Sequence, residues 1–370
     1  MDTVLRVPEN SNVLTTPQFW HDARSLKVLG MGTALPGPQV LTSELLEKIE
    51  DRFGIAVARR GTALANRLKI ATRHLCRNFE ARHEVPRAGD SNPDLAAAAI
   101  RKALEEAQLN VNDLAYLIGH TTTPACLVPP NIALVADRLG FAGPYVELRQ
   151  ACTGFANALV IAQGLASLPG AKAVAIVGSE TGSVYFDPER AGDDLSQLVN
   201  LVMMGDGAAA IVVGTDDAKP CARISNNFFG QVGVGRSPGF TLAAGGSDRP
   251  FVEGGSLEFE HDYAAVRDCG PELFYRGAEI ARGLGIGART TDHLIPHQAN
   301  GRMAELLGPF LEIEPSHIFV NADRIGNTGS AAIWLALAEL RSSLEAGESV
   351  LALGAEATKY MFGGFKYVHE

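Results

Sequence analysis

The sequence predicts an α/β protein in which a mostly parallel sheet is covered by helices on both faces and the chain runs through one succession of elements twice. Three observations carry that expectation. Apolar strand-like runs alternate with amphipathic helical ones, which implies βαβ units. Three blocks of the first half return in the same order in the second. At Cys152 a strand-like run gives way abruptly to an alanine-rich helical one, with a lone thiol at the junction.

The run from Lys27 to Pro36 reads as a first strand ending in a glycine-rich turn. Residues 42–53 and 93–108 read as amphipathic helices, the second opened by Ser91-Asn92-Pro93-Asp94 in capping order. A strand (Leu114 to Ile118), a helix (Pro130 to Leu139), a strand (Tyr145 to Leu148), the Cys152 helix and a fully apolar strand (Ala173 to Val177) follow. Asp113–His120 is then echoed by Asp292–His297, Val146–Cys152 by Ile318–Asn327, and Val174–Glu180 by Val350–Glu356, at matched spacing. The chain therefore divides into an extension (1–26), a first half (27–216) and a second half (217–370). A pseudo-two-fold between the halves would set the Cys152 and Asn327 helices side by side, with the loop after the His297 strand reaching the same spot.

Composition restricts the function. The 370 residues are 46% hydrophobic and 20% charged, enough apolar material for a large core. The five cysteines are far apart and lack C-x-x-C spacing, which argues against a disulfide framework or a zinc site and for a reducing compartment. The first residues show neither a basic nor an apolar signal region, and no uncharged apolar run reaches the length of a membrane span, so a cytoplasmic protein with no membrane partner is expected. A formal net charge of −10 disfavours nucleic acid as a partner.

A thiol at a helix N-terminus meets unpaired N–H groups and a partial positive charge, which lower its pKa and can hold an oxyanion. The plain alternative is a small buried residue. With the imidazole of His297 and the carboxamide of Asn327, such a thiol suits acyl transfer through a thioester. Hydrogen bonds from His297 and Asn327 to a second thioester carbonyl would stabilise an enolate, each worth roughly 3 kcal/mol of barrier in a dry site.

Gln150-Ala-Cys-Thr-Gly-Phe155, Gly205-Asp-Gly-Ala-Ala209, Pro296-His-Gln-Ala-Asn300 and Gly326-Asn-Thr-Gly-Ser330 resemble the signature blocks of β-ketoacyl-acyl-carrier-protein synthase III, in the thiolase superfamily. The resemblance covers about residues 27 to 370. It implies a five-layer αβαβα thiolase fold with two pseudo-two-fold related halves, a homodimer, a Cys152-His297-Asn327 triad, and acyl-CoA or acyl carrier protein as partners, with no cofactor and no metal. It also puts Arg67, Arg190, Asn300 and Arg302 near the CoA or carrier-binding end, where a solvated surface arginine is the competing reading. Simple thiolases place a second cysteine in a C-terminal glycine loop, and none lies after Cys269.

The chain departs from that pattern at two places. Ala357-Thr358-Lys359 stands where the family has glycines, so the expected oxyanion hole combines the backbone N–H groups of Cys152 and Thr358. Ala63 stands near the family's adenine-covering tryptophan. Leu127 and Val128 are expected to line the partner subunit's acyl tunnel, and the glycine-rich segment 230–255 is long enough to suggest a function. Gly30-x-Gly32 lacks the third glycine of a dinucleotide fingerprint, and Pro296 between His293 and His297 opposes a helical zinc pair. His74, His83, His261 and His317 read as surface histidines, and Gly205-Asp206-Gly207 as a structural turn. The expected function is a decarboxylating condensing enzyme that loads Cys152 and condenses the acyl group with a malonyl-type thioester; the alternative is an acyltransferase of a natural-product pathway that uses an oxygen, nitrogen or sulfur acceptor without loss of CO2, and a noncatalytic subunit is the third reading.

Overall fold

The computed structural model describes residues 18–168, 170, 172–214, 220–242, 244–250 and 257–370. The extension contributes β1 (Phe19–Asp22), and the chain continues with β2 (Leu26–Ala34), β3 (Val40–Leu41), α1 (Thr42–Phe53), α2 (Ala58–Leu68), β4 (Thr72–Arg73), α3 (Asn92–Ala107) and β5 (Leu114–His120). It continues with α4 (Asn131–Leu139), β6 (Tyr145–Leu148), α5 (Gly154–Ala166), β7 (Ala173–Glu180), α6 (Leu195–Met203) and β8 (Gly207–Gly214). There follow β9 (Ala222–Gln231), β10 (Phe240–Thr241), β11 (Glu260–His261), α7 (Tyr263–Gly283), β12 (His293–Pro296) and α8 (Met303–Leu311). The chain ends with α9 (Ala322–Ile325), α10 (Ala332–Leu340), β13 (Ser349–Glu356) and β14 (Met361–His369).

The main sheet has the order β12-β13-β14-β9-β2-β8-β7-β5-β6. On one side of the central β9–β2 contact the strands run β2-β8-β7-β5-β6. On the other they run β9-β14-β13-β12, and a parallel bridge from Leu294 to Ile318 stands where β5 pairs β6. The sheet is mixed rather than mostly parallel: β5–β6, β5–β7 and β12–β13 are parallel, whereas β8, β9 and β14 pair antiparallel with their neighbours. The short β13–β14 connection permits only antiparallel pairing. Of the N-terminal extension, residues 1–17 lie outside the described residues, while β1 pairs antiparallel with β9 beyond the point where β2 leaves it.

Three apolar clusters define the layers. One packs α3 and α4, through Ala96, Ile100 and Val135, onto Leu117, Val177 and Val212. A second packs α7 and α8, through Leu273, Phe274 and Leu307, onto Leu351, Leu353 and Phe362. The third fills the space between the two runs of strands with α5 and α10, joining Ile176 and Ile211 to Ala352 and Phe365. Helices, strands, helices, strands and helices thus succeed one another, which is the αβαβα arrangement. Helices α5 and α10 are apolar nearly all round because both faces are covered. Phe155 anchors α5, meeting Trp334 edge-on at 5.9 Å and Phe365 at 5.5 Å.

Gly30 and Gly32 serve packing. A Cβ on either would come within 2.3 Å and 2.2 Å of the carbonyls of Ala103 and Ala99, so α3 lies directly on β2. The predicted helix 93–108 is α3, which starts at Asn92; Ser91 turns its hydroxyl to Asp94 and leaves the helix N–H groups uncapped by its side chain.

Candidate active site

Each of the two central helices begins beside a strand that ends in a buried glutamate. Cys152 lies in the turn that leads into α5, whose first helical residue is Gly154. Thr153 donates to Glu356 through its backbone N–H at 2.9 Å and its hydroxyl at 2.7 Å, and the N–H of Ala151 reaches the same carboxylate at 3.4 Å. Thr358 donates a further hydrogen bond to it. At the other helix Ser330 donates to Glu180 at 2.5 Å, joined by the hydroxyl of Thr123 at 2.5 Å and by the N–H and hydroxyl of Thr122 at 3.1 and 3.0 Å. The arrangement is crossed: β7 of the first half holds the second half's helix, and β13 of the second half holds the first half's.

Asn327 is fixed by backbone contacts to the Gly205 loop. Its N–H donates to the carbonyl of Met203 at 2.9 Å, its carbonyl accepts from Gly205 at 3.0 Å, and its Oδ1 accepts from the N–H of Gly329 at 3.0 Å. A Cβ at Gly205 would sit 2.0 Å from the carbonyl oxygen of Ile325, so only glycine allows the approach. Asp206 accepts from the N–H of Cys76 and from the N–H and hydroxyl of Ser183, consistent with a structural loop. His297 follows β12 and is held by its N–H to the carbonyl of Leu353 at 2.7 Å.

These elements close on one cavity of about 290 Å³, whose walls include Cys152, His297 and Asn327 together with Glu180 and Thr358. The sequence-predicted triad is brought together. Asn300, Arg302 and Arg67 border the same cavity. Arg190 does not; it pairs with Glu258 at 2.9 Å and Asp194 at 3.3 Å, because its loop lies against α6. His261 is a correction: it is partly buried in the cavity wall, Nδ1 2.8 Å from the Oδ1 of Asn200. Arg267, Tyr263 and Phe274 of α7 and Phe240 of β10 also form the wall, and no motif in the sequence signalled them. Of the long segment 230–255, Ala243 and residues 251–255 lie outside the described residues.

The electrostatics correct the expected low pKa of Cys152. The thiol retains some open surface toward the cavity but lies deep, and burial pushes it well above its usual range; the carboxylates of Glu356 and Glu180 push in the same direction. Burial lowers His297 to about 4, so its imidazole is neutral near pH 7, and its Nδ1 has no hydrogen-bond partner among the described residues. Burial raises Glu180 despite its four donors. A thiol, a neutral imidazole, a carboxamide N–H2 without a partner among the described residues and a carboxyl group of raised proton affinity therefore share one largely apolar cavity, an arrangement suited to acyl-thioester chemistry.

The layered fold is that of the thiolase superfamily, and the enzymes similar to this chain place it among those that act on acyl thioesters. Residues 146–232 match the family 3-oxoacyl-(acyl-carrier-protein) synthase III, and residues 283–360 match its C-terminal part. A β-ketoacyl-(acyl-carrier-protein) synthase III of Nitratidesulfovibrio vulgaris is 31% identical over 265 residues, covering 69% of this chain and 77% of that protein. One of Oleidesulfovibrio alaskensis is 29% identical, covering 88% and 93%. Among solved structures, AbyA1, a tetronic acid condensing enzyme, superposes with a TM-score of 0.78 at 26% identity over 93% of this chain and 99% of that one. The Aquifex aeolicus 3-oxoacyl synthase III gives 0.70 at 25% identity over 93% and 100%. The chain belongs to the β-ketoacyl-acyl-carrier-protein synthase III family and is an acyltransferase of that general type. No helix among the described residues is long and apolar enough to cross a membrane.

Proposed function

We propose that Cys152 takes an acyl group from a CoA or carrier-protein thioester and passes it to a hydroxyl, amine or thiol acceptor of a natural-product pathway without loss of CO2. The observation that carries this reading is the pair of buried carboxylates beside Cys152, Glu180 in the cavity wall and Glu356 bonded to the turn that carries the thiol. Both reactions pass through an oxyanion at the acyl carbon, but a malonyl carboxylate and the enolate it leaves would bring further negative charge toward them, whereas a neutral acceptor adds none before it attacks. The tetronic acid condensing enzyme among the similar structures supports a role outside fatty-acid chains.

In this reading the backbone N–H groups of Cys152 and Thr358 hold the tetrahedral oxyanion, and His297 and Asn327 orient the carbonyls. The acceptor's heteroatom bonds to the acyl carbon as the carbon–sulfur bond breaks. Its proton passes to Glu180, whose raised proton affinity suits it to the task better than the depressed His297, and then to the sulfur of Cys152. Arg67, Asn300 and Arg302 line the cavity and would meet a phosphopantetheine arm, and a homodimer would cover the exposed Leu127, Val128 and the edge of the sheet at β6.

Decarboxylative condensation to a β-ketoacyl product is the second reading, favoured by one observation: among the described residues the Asn327 side chain bonds through its Oδ1, leaving its N–H2 to join His297 on a thioester carbonyl. Intact-protein mass spectrometry with CO2 measurement separates the two. Acyl-Cys152 that discharges to a neutral acceptor with no CO2 released from malonyl thioester supports transfer; stoichiometric CO2 with a β-ketoacyl product overturns it. Cys152→Ala is expected to abolish the adduct, and His297→Ala to keep the adduct but lose the second half-reaction.

A further inference from the structure

We infer that Glu356 is a positioning residue that ties down the turn carrying Cys152 and sets the pH at which that thiol becomes reactive. The inference rests on the reading of Cys152 as the reactive thiol. Its substance is geometric. Glu356 is 1% exposed, ends β13, and accepts from Ala151, twice from Thr153 and from Thr358, so one carboxylate gathers the residues on both sides of Cys152. The N–H groups that leave a helix start positive are therefore partly committed to a neighbouring anion. Their electrostatic help to a thiolate is offset.

Each element packed against Cys152 brings a defined charge. β13 brings Glu356, β7 brings Glu180, and the loop after β12 brings His297, which is neutral near pH 7. The cavity wall also carries Arg67 of α2, His261 of β11, Tyr263 and Arg267 of α7, and Arg302 beside α8. Beyond burial, the two charges among the described residues that act on the thiol, Glu356 and Glu180, are both negative. A thiol so placed is a poor nucleophile at neutral pH until a bound thioester's own carbonyl and the remaining N–H of Cys152 come into play. Acylation is thereby coupled to substrate binding, and adventitious electrophiles meet a protonated sulfur.

The test is the pH profile of Cys152 alkylation by iodoacetamide, read by peptide mass spectrometry so that the other cysteines do not interfere. It needs no acyl substrate, so it stands even where the proposed transfer reaction fails. Glu356→Gln keeps the shape and removes the charge. Its alkylation midpoint is expected to fall by about one pH unit, which is about tenfold faster alkylation below both midpoints. Thr358→Val keeps the charge but removes a donor that disperses it, and the midpoint is expected to rise. A Glu356→Gln midpoint equal to or above that of the unsubstituted protein overturns the inference. If that variant does not fold, Thr358→Val alone decides: a raised midpoint supports the role and an unmoved or lowered one overturns it.

Discussion

Replacing Gly205 by alanine tests whether Asn327 serves the second half of the reaction, because Gly205 touches Asn327 without lining the cavity itself. The added Cβ would lie 2.0 Å from the Ile325 carbonyl oxygen, where real contacts stay above 3.0 Å, so the two loops must separate by about 1 Å. The backbone bonds from Asn327 to Met203 and from Gly205 to Asn327, at 2.9 and 3.0 Å, are stretched by that movement. Overpacking of this kind costs about 1–3 kcal/mol, a fall of several degrees in Tm. A 1 Å displacement of a reacting group costs about a hundredfold in rate. The assay loads Cys152 with an acyl thioester, follows the adduct by intact mass, and then times its discharge after acceptor is added. Loading is expected to survive, since the Cys152 turn is held by Glu356 on another element, while discharge slows about a hundredfold. A Gly205→Ala protein that is destabilised as expected yet discharges at the original rate refutes a role for Asn327 in that step.

Phe155→Ala removes the ring that anchors α5 against Trp334 and Phe365 and is expected to cost about 3–5 kcal/mol in denaturant unfolding; a loss below about 1 kcal/mol would show that the central layer collapses around the gap. His297, at about 4, and His120, at about 3, are both depressed by burial, so the unfolded chain binds more protons than the folded one below the ordinary histidine value near 6.5. Their contribution to stability is complete above that value and is lost as pH falls toward the folded pKa, at about 1.4 kcal/mol per pH unit for each; thermal unfolding at pH 7, 6 and 5 should show Tm falling, and a flat profile contradicts it. Arg67→Glu combined with Arg302→Glu is expected to raise KM for CoA and carrier thioesters more than it changes kcat, with the effect shrinking at high salt; a loss confined to kcat would remove these arginines from the binding role.

The fold was legible because its physical signals are local or repeated. Apolar runs, alanine-rich helices and three echoed blocks place the strands and the two central helices, and Cys152, His297 and Asn327 meet in one cavity as the repeat requires. Sheet direction was less legible, since alternation of strands and helices does not report that β8, β9 and β14 run against their neighbours. Arg190 illustrates a different limit: a charged residue near the right place in the chain is captured by Glu258 and Asp194, and only the folded loop shows which anion wins.

The charge around Cys152 was the largest misreading, and its signal was present in the echo itself. The blocks ending Gly-Ser-Glu180 and Gly-Ala-Glu356 close corresponding strands with the same carboxylate. Read as packing alone, they mark two buried strand ends. Read with the pseudo-two-fold, they predict two anions at the starts of the two central helices, one for each helix, and the hydrogen bonds from Thr153 and Ser330 have that crossed form. A helix N-terminus is thus an incomplete argument for an acidic thiol. Burial alone already raises such a thiol, and the helix field is further offset here because an anion carried by the opposite half of the molecule accepts the N–H of Thr153, the residue just before α5.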